Sequence, residues 1–171
     1  ISKRRCNQEA DAPFRRRALP VYFISRETPR EAKWTGKMDK SEAVMNYQTL
    51  ERTIGHQFAD IGLLDLAMTH PSYALQHKCQ DNQRLEFLGD AVLEICVSRV
   101  IYHQYPKLRE GQLTRKRAAL VCEANLAKAA TRLGLGSYLK LDRGEEVVGG
   151  RENPSILADT MEAVIAAVYL D

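Results

Sequence analysis

The sequence has no apolar run approaching the length of a membrane span, a single tryptophan and few aromatic residues overall. Without such a run there is no candidate transmembrane helix. An apolar share of 44% in 171 residues is still enough for one domain with a buried core. The four cysteines, Cys6, Cys79, Cys96 and Cys122, are irregularly spaced and form no CxxC pattern, so they spell no zinc site. The histidines are as sparse, and His56, His70, His77 and His103 form no His–Asp pair or other metal-ligand spacing. No secretory signal is evident in these residues, because the RRR at 15–17 lies too far inside, the apolar run after it is too short and acidic residues intervene. A soluble, cytoplasmic protein with no membrane partner is expected.

Positive charge is lacking where it would count most. The formal net charge of +3 comes from residues 1–46, which hold 11 basic and 6 acidic side chains, leaving 14 basic and 16 acidic in residues 47–171. Overall basicity is therefore no argument for nucleic-acid binding by the expected core. Residues 1–46 show no sustained period of 2 or 3.6, contain three prolines and read as an irregular basic tail. Met38 opens a candidate natural start, which would leave residues 1–37 outside the natural protein.

What is present is helical. In Gln83–Tyr105, Leu85, Leu88, Ala91, Val92, Ile95 and Cys96 form a broad apolar arc at about 100° per residue. Gln83, Glu86, Asp90 and Glu94 form a narrow strip opposite, which implies a helix covered on most sides. Phe87 falls outside the arc, so apolar matter must reach this helix from a second direction, either another element or a second subunit. In the last segment, Asp159 and Glu162 are the only charges between Ser155 and Leu170. Acids at helical spacing are commonly a solvated face. Four of them on two mostly apolar helices, with no Lys or Arg in either stripe, point instead to a cation, because buried carboxylates are costly unless paired or metal-bound.

The rest of the chain from Tyr47 follows helical periods. YQTLERTIG and ADIGLLDLAMTH read as helices, THPSYA as a stop signal and QHKCQDN as a polar connection, with Asn82 as N-cap of the central helix. His70, at a helix end, reads as a structural hydrogen-bonding residue. Two helices follow, one entered near Glu110 and one from about Glu123 to Leu133, stopped by Gly134. Arg115, Lys116 and Arg117 are the compact basic cluster of this part, suited to phosphate contact although such runs are commonly a solvated face. Residues 137–155 form the longest irregular stretch, and Pro154 suits the first turn of the last helix. No stretch reads as a strand, so the class is all-α.

Carboxylate oxygens without Cys or His ligands select hard cations such as Mg2+ or Mn2+. Such an ion suits hydrolysis of a phosphodiester without a covalent enzyme intermediate. NQRLEFLGDAVLE at 82–94 resembles the signature of the ribonuclease III family, and SILADTMEAVIAAVYLD at 155–171 resembles its second motif. The likeness also covers EGQLTRKRAALV, GEEVVGG and the segment from Leu50 to THPSYA, hence roughly residues 47–171. It implies an all-helical, homodimeric endonuclease domain that cuts double-stranded RNA with magnesium, leaving 5′-phosphates and short 3′ overhangs, with roles in ribosomal and messenger RNA processing. By resemblance, Glu86, Asp159 and Glu162 hold the metal, Asp90 and Glu162 are the catalytic pair, Glu110 is a rim acid and Phe87 plugs into the partner subunit. Gln83 departs from the pattern, standing where many members have Glu. The sequence also stops at Asp171, where most bacterial members continue into a separate double-stranded-RNA-binding domain. The rival readings are a non-catalytic dimerisation or RNA-binding module of the same fold, and a metal phosphohydrolase with histidine ligands.

Overall fold

A computed structural model describes residues 47–171, and the expectations placed on residues 1–46 lie outside them. Among the described residues there are helices and turns but no strand, and the one β-type contact is an isolated parallel bridge between Thr69 and Lys140. No helix among them is long and apolar enough to cross a membrane.

The chain enters through α1 (Gln48–Ile54), which Gly55 ends at φ 79° with its N–H on the Glu51 carbonyl. After a short joint, α2 (Ile61–Ala67) is capped by Asp60, whose side chain accepts from the Gly62 N–H at 2.9 Å. The segment expected to be a stop is a helix of its own, α3 (Pro71–His77). Pro71 occupies its first position, where the missing N–H costs nothing, so the proline that closes one helix opens the next. His70 is the N-cap of α3 and its Nδ1 accepts from the Ser72 N–H at 3.2 Å, in keeping with a structural role.

The central helix α4 (Gln83–Gln104) has 22 residues, about 33 Å at 1.5 Å per residue. It is followed by α5 (Glu110–Leu120) and α6 (Glu123–Leu133), the latter ended by Gly134 at φ 70°. The stretch expected to be irregular holds 3-10 turns at Leu135–Tyr138 and Gly150–Glu152 with a short α7 (Arg143–Val147) between them. Arg151 fastens this stretch: one guanidinium nitrogen donates to the carbonyls of Gly136 and Leu139, both at 2.8 Å, and the other side pairs with Glu146. The last helix, α8 (Pro154–Leu170), starts on Pro154 as expected, with the Asn153 side chain accepting from the Ser155 N–H at 3.0 Å.

Helix α8 is the axis of the domain and packs against α4, α6 and α2. Its buried residues, among them Ile156, Leu157, Ala163, Val164 and Ala167, meet a core that includes Leu64, Met68, Leu126, Ala130 and Leu135. A polar knot lies beside this core. Asp65 accepts from the Tyr47 hydroxyl at 2.9 Å and from Lys140 Nζ at 2.7 Å. Burial first, and the neighbouring Asp65 charge second, push the Tyr47 phenol upward and keep it a donor.

One expectation for α4 is corrected. The helix is covered on one side only, because Leu85, Gly89 and Ile101 alone are buried, while Phe87, Ile95 and Tyr102 stand largely exposed and Cys96 carries an exposed thiol. The apolar arc read from the sequence is wider than a single chain covers.

Candidate metal centre

The site begins with a glycine. A Cβ built on Gly89 would lie 1.8 Å from the main-chain oxygen of Glu162, so only glycine lets α4 and α8 touch backbone to backbone there. With the two helices in contact at that point, Glu86, nearly one turn earlier on α4, comes level with Asp159 and Glu162 on α8. Ligand atoms of Glu86, Asp159 and Glu162 all lie within 4.8 Å of one another, and each of the three side chains is partly open to solvent. The donor set is carboxylate only, and its partial exposure leaves room for waters to complete a coordination shell. Such a group could hold a hard divalent cation of the Mg2+ or Mn2+ type.

The other residues singled out in the sequence sit around this group. Asp90 is exposed on α4, one turn beyond Glu86, and does not join the three acids within that distance. Glu110 is exposed in the first turn of α5, where it accepts from the Thr114 hydroxyl at 2.7 Å. Gln83 is exposed at the start of α4, and its N–H donates to the Asp81 carboxylate at 3.1 Å. Phe87 is 73% exposed and points away from the core.

The basic cluster does not present three equivalent cations. Lys116 lies 4.4 Å from the centre of the Tyr105 ring, and Arg117 donates to the Ser98 hydroxyl at 3.0 Å. Arg115 is the member most open to solvent.

The reading that the histidines form no His–Asp pair is corrected. His56 Nε2 lies 2.9 Å from the Asp171 carboxylate, which also accepts from the N–H groups of Ala59 at 3.0 Å and Asp60 at 2.7 Å. The partners are 115 residues apart, which no local spacing rule can register. This carboxylate clasps the α1–α2 joint to the end of α8. Among the described residues, the acids Glu86, Asp159 and Glu162 are the group able to hold a metal.

One position that matters to the geometry escaped the sequence reading, and a second was read in only part of its role. Gly89 could have been found, since an isolated glycine inside an apolar helix signals a close approach. Asn82 was read as the cap of α4 and sits there, but its side chain makes no cap bond and reaches α2 instead.

Comparison with known proteins bears directly on this centre. A family model described as Ribonuclease-III-like matches residues 60–171. The chain is 54% identical over 124 residues to Ribonuclease 3 from Heliobacterium modesticaldum, covering 71% of this chain and 53% of that protein. It is 60% identical over 112 residues to Ribonuclease 3 from Moorella thermoacetica, covering 65% and 48%. The chain thus spans about half the length of the curated relatives it matches. Among solved structures, it resembles the nuclease domain of ribonuclease III from Campylobacter jejuni with a TM-score of 0.70 at 45% identity, covering 73% of this chain and 85% of that one. That nuclease domain shows structural flexibility in a region involved in dimer formation.

Proposed function

Because this chain belongs to the ribonuclease III family, we propose that residues 47–171 are the nuclease domain of a magnesium-dependent endoribonuclease acting on double-stranded RNA. The observation that carries this reading is the convergence of Glu86, Asp159 and Glu162 from two helices that share no sequence proximity. In this reading the three carboxylates hold the metal, and Asp90 and Glu162 are the catalytic pair at the edge of the same helix contact. A bound divalent cation would offset charge building on the scissile phosphate and supply an activated water. The protein's own part is to fix the carboxylates in advance. Glu162 is held by the contact of its backbone with Gly89, so it needs little reorganisation when substrate arrives.

The exposed α4 face with Phe87, Ile95 and Tyr102 is read as the contact between two copies of the chain. Products with 5′-phosphates and short 3′ overhangs, a part in ribosomal and messenger RNA processing, and a cytoplasmic location complete the reading on family resemblance. Glu110 and Gln83 are placed at the rim, and Arg115 is the cation of its cluster best able to meet a phosphate. The alternative of a non-catalytic module is disfavoured by the presence of all four acids, Glu86, Asp90, Asp159 and Glu162.

The test is cleavage of one long RNA duplex with magnesium, with chelator, and across a salt series. With a net charge of −2 in residues 47–171 and few open cations, cleavage is expected at low salt and raised magnesium and is expected to fade near physiological salt. Cleavage that persists in chelator would overturn the metal role. Tight, salt-tolerant binding by residues 47–171 alone would show that grip on the duplex comes from a surface other than the basic cluster.

A further inference from the structure

Glu86 is the acid that α4 contributes to the cluster. Its carboxylate meets Asp159 and Glu162 only if the first turns of α4 keep both their distance from α8 and their rotation about the helix axis. Three residues after Glu86, Gly89 sets the distance, because its Cα rests against the Glu162 backbone. Four residues before Glu86 stands Asn82, which is 3% exposed.

Asn82 makes three connections of different kinds. Its Nδ2 donates to the carbonyl of Ala67 at 3.1 Å, its backbone N–H donates to the carbonyl of Thr69 at 2.9 Å, and its own carbonyl accepts from the Glu86 N–H at 2.9 Å. Ala67 is the last residue of α2, so its carbonyl is among those that a helix end leaves without an intrahelical donor. An amide on a short side chain supplies that donor. A carboxylate of the same shape could not donate, and a hydroxyl would fall short. The local cap of α4 comes instead from Asp81, whose side chain accepts from the Gln83 N–H at 3.1 Å, so the Asn82 amide is left to serve α2.

We propose that Asn82 is a positioning residue for the acidic cluster: it bolts the first turn of α4 to the end of α2, and Glu86 is held between this bolt and the Gly89 contact. The inference rests on reading the cluster as a metal site. It assigns to the Asn82 side chain an effect on metal affinity out of proportion to its effect on stability, because loss of the amide bond to Ala67 lets α4 turn while the backbone bond to Thr69 and the Gly89 contact still hold the helices together.

Mn2+ binding by the full chain, followed by isothermal titration calorimetry beside the melting temperature, tests this. Asn82→Ser removes the reach to Ala67 but keeps a hydroxyl at the cap. Asn82→Asp keeps the shape and removes the donor, and its added negative charge would by itself tighten binding of a cation. Both are expected to weaken Mn2+ binding at least about fivefold, in the direction of Glu86→Gln, as expected when a residue supporting a metal ligand is lost. Leu50→Ala, a cavity variant on the buried face of α1, is expected to bind Mn2+ within about twofold of wild type in spite of an equal or larger loss of melting temperature. Wild-type affinity in both Asn82 variants, or an equal loss in Leu50→Ala, overturns the role given to Asn82. Failure of the wild type to bind Mn2+ overturns the metal reading itself, and this inference with it.

Discussion

Helices α8 and α4 each carry two of the four acids, yet the chain treats them differently. Helix α8 is enclosed by its own chain, with Ala158, Thr160, Ala163, Ala166 and Ala167 all but inaccessible. Helix α4 is longer by five residues and buries only Leu85, Gly89 and Ile101. One acid-bearing helix is thus complete within a single chain, whereas the other presents an apolar face that one chain leaves uncovered. The difference separates what the fold supplies to the site from what assembly would supply.

The sharpest test of the enclosed side is Glu162→Gln, which keeps the volume and removes a charge from the cluster. Cleavage is expected to fall by at least about a thousandfold, close to 4 kcal/mol in activation free energy, with circular dichroism and oligomeric state unchanged. Turnover near that of the wild type would remove Glu162 from the site. The contact between the two helices is probed by Gly89→Ala. Its new methyl would overlap the Glu162 carbonyl, and the backbone cannot swing aside as a side-chain tip can. A loss of about 3 kcal/mol in urea unfolding is expected, together with weaker metal binding. A variant as stable as the wild type would mean that the helices are not held at this point.

The uncovered side is tested by Phe87→Glu. In a symmetric dimer each copy would lose about 2 kcal/mol of apolar burial and place a carboxylate in the contact. Sedimentation is expected to show a wild-type dimer and a monomeric variant at micromolar concentration. A monomeric wild type would leave the α4 face without the partner assigned to it.

The smallest effect is expected at the far end of α8. Burial acts to raise the Asp171 carboxyl, but the N–H groups of Asp60 and Ala59 and the His56 ring outweigh it and hold the group below its ordinary value of 3.8. A carboxylate lowered in the folded state stabilises above the unfolded value and loses that contribution as pH falls through its folded one. Comparing wild type with Asp171→Ala in urea should therefore show a gap at pH 6 that closes below about pH 3.8. A gap that persists at lower pH would assign the clasp to packing and not to charge.

Much of this contrast was legible before any coordinates. Asp159 and Glu162 stood out because every neighbour on α8 is apolar or small, and Phe87 because it fell off the apolar arc. The true exposure of α4 was less legible, since periodicity records which residues are apolar and not what covers them. Helix α3 was missed because it has only seven residues and begins at a proline that also fits a stop. The His56–Asp171 clasp and the bond from Asn82 to Ala67 join distant parts of the chain, so local propensity carries no trace of them. Lys116 and Arg117 looked like a solvent-facing cluster, and only the placement of Tyr105 and Ser98 reveals what they touch.

Helix α5 buries none of its residues, and its connection to α4 includes Arg117, whose Nε is enclosed without an acceptor. A helix held in this way has little to lose on separating from its neighbour, so its backbone amides are expected to open at lower cost than those of the enclosed middle of α8. Glu110 rides on the first of these helices, and Asp159 and Glu162 ride on the second. Among the described residues, Asp159 and Glu162 are therefore carried by enclosed backbone and Glu110 by a helix with no buried residue, so amide exchange is expected to be slower in the middle of α8 than in α5.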